Sequence, residues 1–143
     1  MPQDWSAPQT PDSRRLAGPR SAVALALGCI FLGTGISKII ALDFVVETFQ
    51  GWGYPAWFRY VVGLTEILAA VLVLIPATRA LGAALIAVVM LGAIGTHVLA
   101  GQWLFVPVPL VMLVLALLLV SALRPKFEPT PTPLTSEPPV HLR

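Results

Sequence analysis

Residues 21–42 read SAVALALGCIFLGTGISKIIAL, twenty-two residues in which the one charged side chain is Lys38. At 1.5 Å per residue, a helix of about this length crosses a hydrocarbon core of about 30 Å. Three more apolar runs follow, at Trp57–Ile75, Ala80–Leu99 and Val106–Leu123. Their ends carry the expected punctuation: Pro55 before the second, Pro76 after it, Gly101 after the third, Pro107 and Pro109 in the first turn of the fourth, and Pro125 beyond it. The pattern predicts an all-α chain, a bundle of four transmembrane helices over residues 21–124.

Composition supports a bilayer. The 143 residues are 57% hydrophobic and 11% charged, whereas a soluble domain needs roughly a quarter of its residues charged. Residues 1–20 and 125–143 are rich in proline and polar residues, so both are expected as disordered tails. Ser13-Arg14-Arg15-Leu16 faintly resembles a twin-arginine export signal, but the apolar run after it is longer than a signal core and lacks a clear small-residue cleavage site, so an uncleaved first helix is expected.

The net charge of +2 does not make a nucleic-acid surface, because Arg14, Arg15, Arg20, Arg79, Arg124 and Lys126 each flank an apolar run. They act as topology signals and place both termini and the 76–79 turn in the cytoplasm of a multi-pass cell-membrane protein. The 43–56 connection carries Asp43 and Glu47 and no basic residue, as befits the outer side. Trp52, Tyr54, Trp57, Tyr60 and Trp103 then fall at the outer boundary, where amphipathic rings prefer to sit, and Arg59 is expected beside them as an interfacial anchor. Within that connection Val45, Val46, Phe49 and Trp52 share the face of a short helix, either a lid over the bundle or an ordinary interfacial anchor. Cys29 is the sole cysteine, which excludes a disulfide framework, a Cys-x-x-Cys redox pair and a thiolate metal site within one chain. No metal site is expected.

Lys38, Glu66 and His97 carry the functional signal, since a charge near the bilayer centre costs on the order of 2.5–3.5 kcal/mol and such side chains turn inward to find partners. Lys38 and His97 lie roughly 6 Å from the outer ends of their helices and Glu66 roughly 13 Å. Helical side chains lean toward the helix N-terminus, and the second helix runs opposite to the first and third. Lys38 and His97 therefore lean inward and Glu66 outward, so the three converge in the outer half of the membrane, with Thr34 and Thr96 as polar neighbours. Gly28, Gly35, Gly63, Ala70 and Ala93 line the same faces and favour close helix approach. A Lys–Glu pair can also serve only to set helix register.

The segments Gly33-Thr34-Gly35-Ile36-Ser37-Lys38, Gly53-Tyr54-Pro55, Gly63-Leu64-Thr65-Glu66-Ile67-Leu68, Arg79-Ala80-Leu81-Gly82 and Thr96-His97 occur in an order and spacing that resemble the DoxX-like family of small four-helix membrane proteins, over about residues 20–124. The resemblance implies a compact four-helix bundle and a relation to the membrane subunit of an archaeal thiosulfate:quinone oxidoreductase. Its recurrent polar positions correspond here to Lys38, Glu66 and His97. It brings no established catalytic residue.

Two functions compete. In one, the polar cluster binds a quinone headgroup, Glu66 or His97 supplies protons, and a soluble or membrane oxidoreductase partner provides the electrons that this chain has no centre to carry. In the other, the chain is a non-catalytic scaffold or lipophile-binding module, alone or as a homo-oligomer. A proton-coupled transporter is disfavoured, because four helices supply no inverted repeat without dimerisation.

Overall fold

The computed structural model describes residues 18–123; the expectations for the two tails fall, but for Gly18–Arg20, outside them. The described chain is helical, with no strand. It runs α1 (Pro19–Ile39), α2 (Asp43–Gly51), α3 (Phe58–Leu74), α4 (Arg79–Leu99), a single 3-10 turn (Trp103–Phe105) and α5 (Pro107–Leu123). Three segments are long and apolar enough to cross a bilayer: Pro19–Ile39, Arg79–Leu99 and the continuous stretch Trp103–Leu123. α3 has 17 residues, about 26 Å of helix.

α1 packs on α3, α3 on α4 and α4 on α5, while α1 and α5 touch more sparsely. The buried apolar core gathers toward the end where the 75–78 turn joins α3 to α4. It comprises Ala24, Leu27 and Phe31 of α1, Ala69, Ala70 and Val73 of α3, Ala83, Ile86 and Met90 of α4, and Leu113, Ala116 and Leu119 of α5. Most other large apolar side chains point outward, among them Leu25, Leu64, Leu81, Val88 and Leu118. That is the pattern of a bundle solvated by lipid, where helix association relies on close packing and not on escape from water.

Small residues bring the backbones together. A Cβ at Gly35 would press on the Gly63 carbonyl oxygen and Ile67, and one at Gly63 on the Gly35 carbonyl oxygen. Three residues beyond each glycine stand Lys38 and Glu66. The same crossing that closes α1 on α3 thus aligns the two charged side chains.

α1 stops three residues before the apolar run does. Ile40 still donates to the Ile36 carbonyl, but Ala41 adopts φ 59° and Leu42 bonds back to the Ser37 carbonyl. A left-handed residue ends the helix here, at a position where glycine is the usual choice and alanine costs about 1 kcal/mol. Ala41→Gly should accordingly raise the midpoint of SDS-induced unfolding, by about 0.5–1 kcal/mol.

Candidate functional site

Two arginine caps, one on the C-terminus of α1 and one on that of α3, hold the frame of the site. The α1 C-terminus leaves carbonyls without helical partners, and a cation is favoured there. Arg59 supplies it: its guanidinium donates to the Lys38 carbonyl at 2.7 Å and stands over the Tyr60 ring at 4.3 Å. Its side chain is buried, 6% exposed, and fastens the end of α1 to the start of α3, a partnership that the anchor expectation did not contain. At the opposite end Arg79 donates to the Val73 carbonyl and, at 3.4 Å, to the Ser21 hydroxyl, while Thr78 donates to the Leu72 carbonyl.

Between these caps, Lys38 donates to Glu66 Oε2 at 2.7 Å and to the Thr34 carbonyl at 3.3 Å. The Lys38 side chain is 16% exposed and that of Glu66 5%. The pair is joined directly, with no water needed between the groups.

His97 takes a different partner. Gly101, at φ 70°, reverses the chain after α4, so that the Gln102 N–H donates to the His97 carbonyl at 2.8 Å. This return carries the Gln102 side chain up to the imidazole: Gln102 Oε1 lies 3.0 Å from His97 Nδ1 and accepts the Trp52 indole N–H at 3.1 Å. The ring packs against the edge-on Trp52, 5.3 Å between centroids, and against Phe105, stacked at 5.9 Å. No hydrogen bond joins His97 to Lys38 or Glu66 among the described residues.

All three side chains nevertheless line one cavity of about 490 Å³, within the usual range for small-molecule sites. Its polar wall also includes Thr34, Thr65, Tyr54 and Thr96, and its apolar wall Phe31, Phe58, Val62, Ala93 and Met112. Ile30, Val61 and Val108 line it too and are exposed on the outside of the bundle, so the space communicates with the lipid-facing surface. It lies toward the end of the bundle opposite the 75–78 turn and borders the packed core at Phe31 and Met90.

α2 and the turn after it roof this end. Val45 and Phe49 are buried, and Phe49 meets Trp52 at 5.4 Å and Tyr54 at 6.1 Å, while Tyr54 meets Phe58 at 4.7 Å. Tyr54 Oη lies 2.8 Å from Thr96 Oγ1. This hydrogen bond and the Trp52–Gln102 bond tie the segment that joins α1 to α3 across to α4 and the turn after it. Trp52 and Tyr54, expected among the interfacial anchors, face this cavity, whereas Trp57 and Trp103 are exposed at 62% and 66%.

The sequence reading did not single out Gln102 or Phe58. Gln102 follows a turn glycine five residues after His97, a spacing that could have drawn notice. Nothing local to Phe58 separates a cavity wall from one more apolar helix residue.

Apolar helices whose outer faces are hydrophobic, around a cavity with a buried ion pair, define a small integral membrane protein. The chain belongs to the DoxX-like family, whose profile matches residues 22–119. No curated protein and no solved structure matches it.

Proposed function

We propose that the chain is a four-span bundle that binds a lipophilic ligand with a polar ring head, of the quinone class, and that serves as the membrane subunit for an oxidoreductase partner. The observation that carries this reading is the cavity: apolar over most of its wall, continuous with the lipid-facing surface, and flanked by the Lys38–Glu66 pair and His97. The apolar wall suits a ring and the start of an isoprenoid or alkyl tail. A Lys38 ammonium has three hydrogens and uses two on Glu66 and the Thr34 carbonyl, which leaves one for a ligand carbonyl.

α3 supplies the fourth crossing. At about 26 Å it is close to the hydrocarbon thickness, and Trp57 and Tyr60 at one end extend it into the interface. Arg20 and Arg79 at the core end favour the cytoplasmic side there, so α2 and the cavity belong to the outer half of the membrane with both termini inside. A ligand would enter laterally from the outer leaflet.

The chain offers proton-handling groups and a binding space but no cysteine pair, and redox chemistry on a bound quinone therefore falls to a partner. Glu66→Gln removes the carboxylate while keeping its shape and one acceptor for Lys38. Titration of the purified protein in nanodiscs with a quinone analogue should show affinity about tenfold weaker in Glu66→Gln than in wild type, because the charge-assisted bond that holds the Lys38 ammonium toward the ligand is lost. An unchanged titration would remove Glu66 from the site.

A further inference from the structure

We infer that the cavity selects a lipophile whose head carries a hydroxyl group, donated to Nε2 of His97, and that Trp52 and Gln102 set this preference by fixing the imidazole tautomer; the inference rests on the lipophile-binding reading above. An indole N–H can only donate. It lies 3.1 Å from one terminal atom of the Gln102 side chain, so that atom must be the carbonyl oxygen, and the usual ambiguity of amide orientation is removed. The same oxygen lies 3.0 Å from Nδ1 of His97. A carbonyl oxygen only accepts, and Nδ1 must therefore carry the hydrogen. In the neutral ring Nε2 then holds a lone pair.

Nε2 has no hydrogen-bond partner among the described residues, yet it is not a buried orphan, because no unpartnered side-chain nitrogen or oxygen is fully buried there. His97 lines the cavity and Gln102 does not, and with Nδ1 engaged by Gln102 the ring nitrogen left for a ligand is Nε2. The packing of Trp52 and Phe105 against the ring and the Gln102 bond to Nδ1 oppose a turn that would present Nδ1 instead. The cavity thus has unlike polar groups: Lys38, which only donates, and His97 Nε2, which accepts.

A head with an acceptor toward Lys38 and a hydroxyl toward His97 satisfies both. For a ring with two oxygens, the hydroquinone form does so, since either hydroxyl oxygen accepts from Lys38 while the other hydroxyl donates to Nε2. An oxidised quinone would set a carbonyl lone pair against that of Nε2. Trp52 and Gln102 are positioning residues in this arrangement, and His97 and Lys38 are the residues that touch the ligand.

The test compares an alkylphenol with its methyl ether of equal chain length, titrated by mole fraction into nanodiscs under conditions in which the nitrogen-15 spectrum shows a neutral imidazole. Wild type should bind the phenol about tenfold more tightly, the upper end of what one net hydrogen bond contributes. His97→Phe should lose that ratio while still binding the ether, and Gln102→Leu should reduce it. Equal binding of the two probes by wild type overturns the hydroxyl preference alone, whereas no binding of either overturns the lipophile reading itself and this inference with it. Nitrogen-15 NMR of histidine-labelled protein carrying His141→Ala reads the tautomer without any ligand. A hydrogen on Nδ1 and a bare Nε2 are expected, and the reverse assignment overturns the proposal even where the substituted variants do not fold.

Discussion

Gly82→Ala should be among the most damaging single substitutions in the bundle, although alanine is the better helix former by about 1 kcal/mol. A Cβ at Gly82 would overlap the main chain of Leu72 and Val73. The obstacle is backbone, not the far end of a side chain that could swing away, so α4 must lift off α3 close to the capped turn that Thr78 and Arg79 make. Overpacking without relief costs about 3 kcal/mol, enough to lower the midpoint of SDS-induced unfolding well beyond the propensity gain. Gly33 provides the control: it sits within α1, is exposed, and has nothing within 4 Å of an added Cβ. Gly33→Ala should leave the midpoint unchanged or raise it slightly. Equal effects at the two positions would mean that α3 and α4 do not cross as closely as described.

The second large effect concerns the ion pair. Lys38→Met strands the Glu66 carboxylate, 5% exposed, beside a wall of apolar side chains. Removing one member of a buried pair is strongly destabilising because the other charge loses its compensation. In a membrane protein the unfolded reference also finds polar partners, which tempers the loss, and the carboxyl can neutralise itself by taking up a proton. A destabilisation of about 2–3 kcal/mol is expected for the single variant. Replacing both residues, Lys38→Met with Glu66→Leu, should recover most of the stability, since two apolar groups leave nothing unsatisfied. It should at the same time abolish ligand binding. A double variant that stays folded and still binds would mark the pair as a register device only, and one that unfolds as badly as the single variant would mark it as a structural necessity.

Much of this was legible in the chain. Run length and turn residues place α1, α3, α4 and α5 within a few residues, because a lipid-facing helix must satisfy its backbone internally and show apolar side chains on every side. The Lys38–Glu66 pairing was legible for a geometric reason: antiparallel helices lean their side chains toward each other, and Gly35 and Gly63 three residues earlier set the crossing. The surroundings of His97 were not. Depth arithmetic puts it at the level of the pair, but its hydrogen bond depends on a chain reversal at Gly101 and on a neutral side chain, Gln102, that no charge or periodicity rule picks out. Trp52 and Tyr54 show a second limit. An amphipathic ring at the membrane boundary reads alike whether it faces headgroups or roofs a cavity, and only the tertiary contacts to Gln102 and Thr96 separate the two. Arg59 illustrates a third: its sequence position suits snorkelling, yet the free carbonyls at the end of α1 offer a nearer partner than the lipid headgroups.

The central claim is that the space between the Lys38–Glu66 pair and His97 holds a lipophile. Its most direct test is purification from native membranes in mild detergent, followed by mass spectrometry of what stays bound, for wild type and for Ala93→Trp, which fills the cavity from α4. The expected result is a lipophile with a polar ring head, near one per chain in wild type and depleted in Ala93→Trp while the variant remains folded. Wild type free of any such molecule, or a lipophile retained equally by the filled variant, would contradict the account.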